Sequence, residues 1–378
     1  MKTVLVTGAG GYIGSTLCRM LLEAGERVIG VDRYFFGTDF LSGVFSNPNY
    51  RPLKKDIRDM MPTDFEGVDA VCDLAALSND PSGDLDPELT ESINHWGRLR
   101  VAKAARQAGV PRYVLASSCS VYGQSPGIDL SEDANPRPLT VYAKANLGAE
   151  RDILPLASDR FSVTVLRQAT MFGLSARMRF DLVINLMTLN AVQKSKIFVL
   201  GGGKQWRPVI HVADTSRAFM QVLETDPSVV NGEIFNVGAT NLQVVSLAYI
   251  VRENLPFPIQ MDVVPDDPDK RNYNVSFEKI RRRLNYATQY TPADGVREIY
   301  EALKNGRTGP EAHTYTVNWY RQMLAAKALL DSVMMNGRLL DWRDGNGFPA
   351  DFAADLPLGG NGEAAFHGLA HGQDLLKN

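Results

Sequence analysis

The sequence predicts an α/β fold: a doubly wound parallel sheet with helices on both faces, and a smaller interleaved C-terminal substrate lobe. Three observations carry this. Short apolar β-branched runs alternate with helical patterns through residues 1–170. The first run, Val4-Leu-Val6, leads into glycines at Gly8, Gly11 and Gly14 and then an amphipathic stretch from Ile13 to about Ala24. After Gly173 the strand–helix rhythm changes, and Phe235-Asn-Val-Gly238 reads as a strand returning to the first domain.

Strand, glycine-rich turn and helix form the context of a dinucleotide-binding (Rossmann) fingerprint. The spacing here is G-x-x-G-x-x-G. A plain turn needs glycine too; the context favours a cofactor. Gly8 permits the tight turn, Gly11 lets a pyrophosphate reach the backbone, and Gly14 lets the helix pack against the strand. The helix start at Tyr12 and Ile13 then offers N–H groups and a positive dipole end to phosphates. Val28–Asp32 is the second strand. Asp32 ends it, eighteen residues after Gly14, where a carboxylate accepts the adenosine ribose hydroxyls and repels a 2′-phosphate. This favours NAD over NADP, although Arg33 beside it could pair with such a phosphate.

The third strand is expected around Tyr50 to Leu53, the fourth at Ala70–Leu74, the fifth at Tyr113–Ser117 and the sixth at Ser162–Arg167. Helical patterns lie between them at Leu85–Gln107 and Tyr142–Leu154, the latter stopped by Pro155. A helix is expected from about Leu182, and Gly201-Gly-Gly203 reads as a turn. A further helix opens at His211 and runs to about Glu224 with Asp214 as N-cap. Leu242–Asn254 and Phe277–Leu284 are also helical. The domain reading is therefore 1–170 for the cofactor domain, with 211–238 returning to it, and 171–310 for the substrate lobe. A helical extension at 311–345 is expected to pack on the body or on a partner subunit. Glycines at 359–362 and 368–372 mark 346–378 as a flexible tail.

The chain has 378 residues, 44 % hydrophobic, and a net charge of −3, which gives no electrostatic case for nucleic acid or an anionic membrane. No apolar run is long enough to span a bilayer. The first strand begins at once, leaving no room for a signal peptide, so a cytoplasmic location is expected. Cys18, Cys72 and Cys119 are too scattered for a disulfide framework or a zinc site, and the five histidines show no ligand spacing.

Further motifs follow in order: Asp56-Ile57, Leu74-Ala-Ala76, Asn94, Ser117-Ser118 with Val121-Tyr-Gly123, Tyr142, Leu166-Arg167, Asn185-Leu-Met187, and Arg207 with His211. Together with Thr7-Gly-Ala-Gly-Gly-Tyr-Ile-Gly14 and Asp32, over roughly residues 1–310, the chain resembles the extended short-chain dehydrogenase/reductases that act on nucleotide sugars. The resemblance implies a tyrosine as the proton-transfer group and a hydroxyl residue bonded to the same sugar hydroxyl, here Tyr142 and Ser118. It implies cofactor contacts from Asp56, Ile57, Leu74, Ala75, Ala76, Asn94, Ser117 and Gln168. It implies substrate contacts from Ser120, Thr170, Asn185 and Leu186, and a diphosphate contact from Arg207, with Arg271 a further candidate; Arg177 and Arg179 are weaker ones. Partners are then a nucleotide-diphosphate sugar and a second copy of the chain, paired through Leu85–Gln107 and Tyr142–Leu154.

Family members place a lysine four residues after the tyrosine, on the same helix face, and its charge favours the phenolate. Here that position is Asn146, which can hydrogen-bond a ribose but supplies no charge. Lys144 lies about 200° around the helix and cannot replace it. The site is then a specialised enzyme, a trapped variant or a binder without turnover. The family's dehydratases carry an Asp-Glu pair directly after the hydroxyl residue; Cys119-Ser120 stands there instead, which argues against dehydration. A 4-epimerase acting through a 4-keto intermediate is the leading expectation. An NADPH-dependent 4-keto-sugar reductase and a catalytically weak NAD-binding protein are the alternatives.

Overall fold

The computed structural model describes residues 1–124, 129–265 and 271–334. The expected tail 346–378 and the end of the 311–345 extension lie outside the described residues. Seven strands make one all-parallel sheet: β1 (Thr3–Thr7), β2 (Arg27–Asp32), β3 (Tyr50–Lys54), β4 (Ala70–Asp73), β5 (Arg112–Ser118), β6 (Ser162–Gln168) and, after three strands of other sheets, β10 (Glu233–Val237). Their spatial order is β10-β6-β5-β4-β1-β2-β3. The chain winds outward from β1 in one direction through β2 and β3, then crosses back to β4 and continues the other way. The switch between β1 and β4 opens a crevice at the carboxyl ends of those strands, where ligands bind in such sheets.

The strands are valine- and isoleucine-rich because both faces are covered. On one face Leu17, Leu21, Phe219 and Phe235 are buried together. On the other Leu5, Val71, Leu99, Val101, Tyr113 and Val163 are buried together. Each such side chain contributes about 1.5–3 kcal/mol by leaving water. The covering helices include α1 (Tyr12–Glu23), α2 (Arg98–Gln107), α3 (Val141–Ile153) and, further along the chain, Val212–Glu224, which packs against α1.

The remaining strands build the second lobe. β7 (Thr170–Phe172), β9 (Trp206–His211) and β11 (Thr240–Gln243) form one small sheet, and β8 (Lys196–Val199) pairs with β12 (Gln260–Val263). The helix Val183–Lys194 packs on Val244–Glu253 and Pro292–Lys304 around Ile184, Leu247 and Val296. Residues of both expected lobes belong to one compact unit, Met1–Gln322. A second unit, Met323–Asn378, is described only to residue 334, as the distal part of the helix Thr316–Val333.

Three local expectations need correction. The stretch Leu85–Gln107 is not one α-helix: Pro87–Glu91 leads into a π-helical segment, Ser92–Gly97, before α2 begins. From this segment and the start of α2, Asn94 and Arg98 bond to Leu77 and Ala75 in the loop after β4; π turns are often found at functional sites. The residue capping Val212–Glu224 is His211, whose Nδ1 accepts from Ala213 N at 3.1 Å, so Asp214 sits inside the first turn. Leu242 and Gln243 belong to β11, and that helix begins only at Val244.

One buried ion pair fixes α3 to the sheet. Arg167 on β6 donates to Glu150 on α3 at 2.7, 3.0 and 3.2 Å, and both side chains are almost fully enclosed. The Ser117 hydroxyl joins the same carboxylate, and Arg167 also donates to the Tyr122 hydroxyl at 2.9 Å. Replacing Glu150 with alanine leaves a buried guanidinium unpaired. Denaturant unfolding of E150A is expected to show a loss of about 3–5 kcal/mol, against a change within about 0.5 kcal/mol for the exposed pair variant E23A.

Candidate active site

A cavity of about 640 Å³ lies at the switch point and runs from the first glycine turn to the second lobe. At one end the backbone is shaped by absent side chains. Gly8 holds φ at +68°, and a Cβ there would stand 2.9 Å from Ala75 N. A Cβ on Gly14 would stand 2.0 Å from Gly8 O, so only glycine lets α1 start this close to β1. Gly11 is the N-cap of α1, and no side chain caps the helix. The first N–H groups of α1 therefore face the cavity wall formed by Gly11, Tyr12, Ile13 and Gly14, a cradle suited to a pyrophosphate.

Asp32 closes the same end. Its carboxylate accepts from Gly10 N at 3.0 Å and Tyr34 N at 2.6 Å. Burial pushes its pKa up, opposed by those backbone donors and by the Arg177 charge. Arg33 also lines the cavity, where it pairs with Asp56 at 3.1 Å and lies 4.5 Å over the Phe35 ring. The Arg177 guanidinium stacks 3.7 Å from the Phe36 centroid, and burial beside Arg179 pulls its pKa down to about 10. Residues of the C-terminal extension cover this end. Trp319 Nε1 donates to Phe35 O at 2.7 Å, and Tyr320 packs 5.6 Å from Phe36 and reaches the cavity wall.

The middle of the cavity is built by the loop after β4. Leu74 N and Ala75 N both donate to Thr7 Oγ1 at 3.0 Å, which holds Leu74, Ala75 and Ala76 along the wall. Asp56 and Ile57 join them, with Asp56 capping the turn that follows β3 by accepting from Arg58 N. Ser117, Ser118 and Gln168 line the wall from β5 and β6. Tyr142 is the second residue of α3, and the Thr140 cap accepts from Ala143 N at 3.1 Å. Ser118 and Tyr142 thus meet on one wall. Burial raises the Tyr142 pKa; the Arg98 charge and bonds from Ser118 and Asn146 oppose it, while Asp80 adds to it.

At the far end Thr170, Leu186, Arg179, Arg207 and Arg271 line the cavity. Arg179 makes a two-pronged pair with Asp181 at 2.9 and 3.0 Å, and Asn79 Nδ2 donates to Asp181 at 2.9 Å. Asn79 holds a left-handed φ of +82° and caps the short helix Asp80–Gly83, so strain is stored at the cavity edge. Asp80 is ion-paired with Arg271 and accepts from Thr140. Arg207 donates to Trp206 O at 2.9 Å and to Arg271 O.

Residues 4–238 match the sequence profile of the NAD dependent epimerase/dehydratase family. The chain belongs to that family. Its cofactor is NAD, and the uncapped start of α1 and the Asp32 carboxylate fit that group. An uncharacterized UDP-glucose epimerase of Bacillus subtilis, YtcB, is 28% identical over 310 residues, 78% of this chain and 95% of its own length. UDP-glucuronic acid decarboxylase 1 of Arabidopsis thaliana is 27% identical over 320 residues, 80% of this chain and 70% of its own. MoeE5, solved in complex with UDP-glucuronic acid and NAD, superposes with a TM-score of 0.71 at 27% identity, over 80% of this chain and 99% of its own.

Four family positions do not reach the cavity. Asn94 is fully buried and spends its amide on Leu77, accepting from its N at 2.8 Å and donating to its O at 3.1 Å. Asn185 is fully buried, bonded to Gly173 N, Arg179 O and the Tyr12 hydroxyl. Ser120 Oγ is enclosed with no hydrogen-bond partner among the described residues. Asn146 is fully buried, its Nδ2 donating to Tyr142 O at 2.9 Å. The three asparagines spend their side-chain amides on backbone and neighbouring side chains, whereas Ser120 is simply enclosed. His211 is likewise structural, bonded to Glu298 at 2.6 Å, and burial pushes the Cys119 thiol up, away from any nucleophilic role.

Sequence reading missed Arg98. It lines the cavity and is 2 % exposed, with Nε donating to Ala75 O at 2.9 Å and Nη1 to Asn146 Oδ1 at 2.8 Å. The available signal was an arginine in register with Ala102 and Ala105 on the apolar face of a helix.

Removing the charge at the ribose end tests its role. Asp32→Asn is expected to weaken NAD binding by about 1.5–3 kcal/mol, the range for a charge-assisted hydrogen bond, and to narrow the preference over NADP. Titration of both cofactors by fluorescence checks this; an unchanged NAD/NADP ratio contradicts it.

Proposed function

We propose that this protein is a nucleotide-sugar epimerase of the 4-epimerase type. The observation that carries the reading is the cavity wall from its middle to its far end. Ser118 and Tyr142 face it together, and the two carboxylates nearest the sugar end, Asp80 and Asp181, are both spent on arginines. Elimination of water needs an acid and a base beside the reacting carbons. Neither Cys119 nor Ser120 supplies one, and both are buried out of the cavity.

Held by the start of α1 and by Asp32, NAD would supply a reversible hydride acceptor for the sugar carbon. Tyr142 takes the proton of the hydroxyl on that carbon and returns it when the carbonyl is reduced. The Ser118 hydroxyl orients the same sugar oxygen; its own Oγ already accepts from Ser120 N at 3.1 Å, which fixes its direction. Thr170 and Leu186 border the space in which the sugar turns. Arg207 supplies positive charge for a diphosphate; Arg271 and Arg179 contribute less because they are committed to Asp80 and Asp181. The likeness to YtcB and to the MoeE5 complex supports a nucleotide sugar as the substrate class.

A homodimer is part of this reading. Trp96 is 53 % exposed in the π-helical segment, beside His95, which bonds to Asp152 on α3. A large exposed aromatic on the helical face expected to pair is suited to a partner copy. Trp96→Glu is expected to shift the protein to monomer in light scattering; an unchanged mass with W96E removes this face from the interface.

The direct test is incubation of the purified protein with UDP- and dTDP-sugars without added cofactor, followed by proton NMR. The expected product is inverted at C4. Product formation only with NADPH and a 4-keto sugar would instead mark a reductase, and no turnover with NAD bound would mark a binding protein. Tyr142→Phe is expected to lower kcat by about 10²–10⁴-fold, the usual contribution of a positioned proton-transfer group, with the NAD dissociation constant within about twofold of the parent.

A further inference from the structure

Position 146 poses a charge problem. The family's cation at the phenol is a lysine, and this chain places an asparagine there. The nearest cation comes from another element. Arg98 enters from the start of α2, buried, and its guanidinium is fixed at two points: Nε to Ala75 O at 2.9 Å and Nη1 to Asn146 Oδ1 at 2.8 Å. The other end of the Asn146 amide donates to Tyr142 O at 2.9 Å. One asparagine therefore ties the guanidinium to the residue that carries the phenol. Arg98 and Tyr142 also share the cavity wall with Ser118.

We propose that Arg98 supplies the positive charge at the Tyr142 phenol, and that Asn146 is the positioning residue that holds it there. The proposal rests on Tyr142 being the proton-transfer group. Both of Arg98's fixed bonds go to neutral acceptors, and among the described residues no salt bridge joins it to a carboxylate. The buried Asp73 on β4 does feel its charge, which opposes the rise that burial imposes on that carboxyl, and the Thr7 and Tyr113 hydroxyls bond the same carboxylate. The charged groups acting on the phenol are then Arg98, which favours the phenolate, and Asp80, which opposes it and is itself paired to Arg271. Lys144 is exposed on the other side of α3. The asparagine also becomes intelligible. A lysine at 146 would bring an ammonium against the guanidinium, whereas the amide oxygen accepts from it. The two positions thus act as one unit in which cation and anchor have exchanged elements.

The test is a titration of the phenol in the NAD-loaded protein without sugar, read as the ultraviolet difference between each variant and the same variant carrying Y142F. The chain has 13 tyrosines, and this subtraction isolates one. R98M is expected to raise the Tyr142 pKa by about 1–3 units, the effect of losing one adjacent opposite charge. R98K is expected to stay near the parent, and R98M/N146K to return toward it. An unchanged Tyr142 titration in R98M overturns the proposal. If R98M does not fold, N146K alone decides. With Arg98 present it is expected to weaken NAD binding and lower the melting temperature, because two cations meet; a stable N146K with unchanged NAD affinity overturns the proposal. None of these readouts needs turnover. A shifted phenol with no sugar converted leaves Arg98 in its role and removes the epimerase reading; turnover with an unmoved phenol does the reverse.

Discussion

The buried contact between Glu150 and Arg167 sets the geometry on which the rest of the site depends. Tyr142 rides on α3, and Ser118 ends β5. Nothing in the backbone ladder joins a helix to a strand, so their separation is fixed by side chains alone. Glu150 reaches Arg167 on β6 and Ser117 on β5 at once. Arg167 continues to Tyr122, and Tyr122 to Asn236 on β10 at 2.7 Å. A chain of polar contacts thus runs from the phenol-bearing helix across three strands. Burial makes each contact strong only because every member is satisfied. The same enclosure makes it a rigid reference for two residues that must share one sugar oxygen.

The cofactor end is organised differently, by backbone and by emptiness. Glycines at 8 and 14 bring α1 against β1 at a distance no side chain tolerates. The helix is left uncapped, and its N–H groups supply the attraction. Thr7 then stitches the two strands flanking the switch point, taking the backbone of Leu74 and Ala75 on one hydroxyl. Polar chemistry is thus concentrated in a narrow seam between two hydrophobic faces.

Much of this was legible in the sequence. The order of strands and helices follows from local periodicity, and the glycine turn and Asp32 from spacing, because each is a property of neighbouring residues. Ser118 and Tyr142 were legible through motif. Less was visible where a side chain's role is decided by distant partners. Asn94, Asn185 and Ser120 look like ligand contacts by position, yet the amides of the first two are spent on Leu77 and on Gly173 and Arg179, and the Ser120 hydroxyl is enclosed away from the cavity. Arg98 was invisible for the opposite reason. Its helix register reads as core, and only the fold shows that Asn146 accepts from it across 48 positions of sequence. The π-helical segment that precedes it carries no sequence signature of its own.

The aromatic cover at the adenosine end reaches beyond the site's shape. Trp319 and Tyr320 hold the loop after β2 by a backbone bond and ring packing. The wall at the adenosine end is thus shared by parts of the chain 284 positions apart, so that loss of Trp319 would free the Phe35 carbonyl and, with it, the loop that borders Asp32.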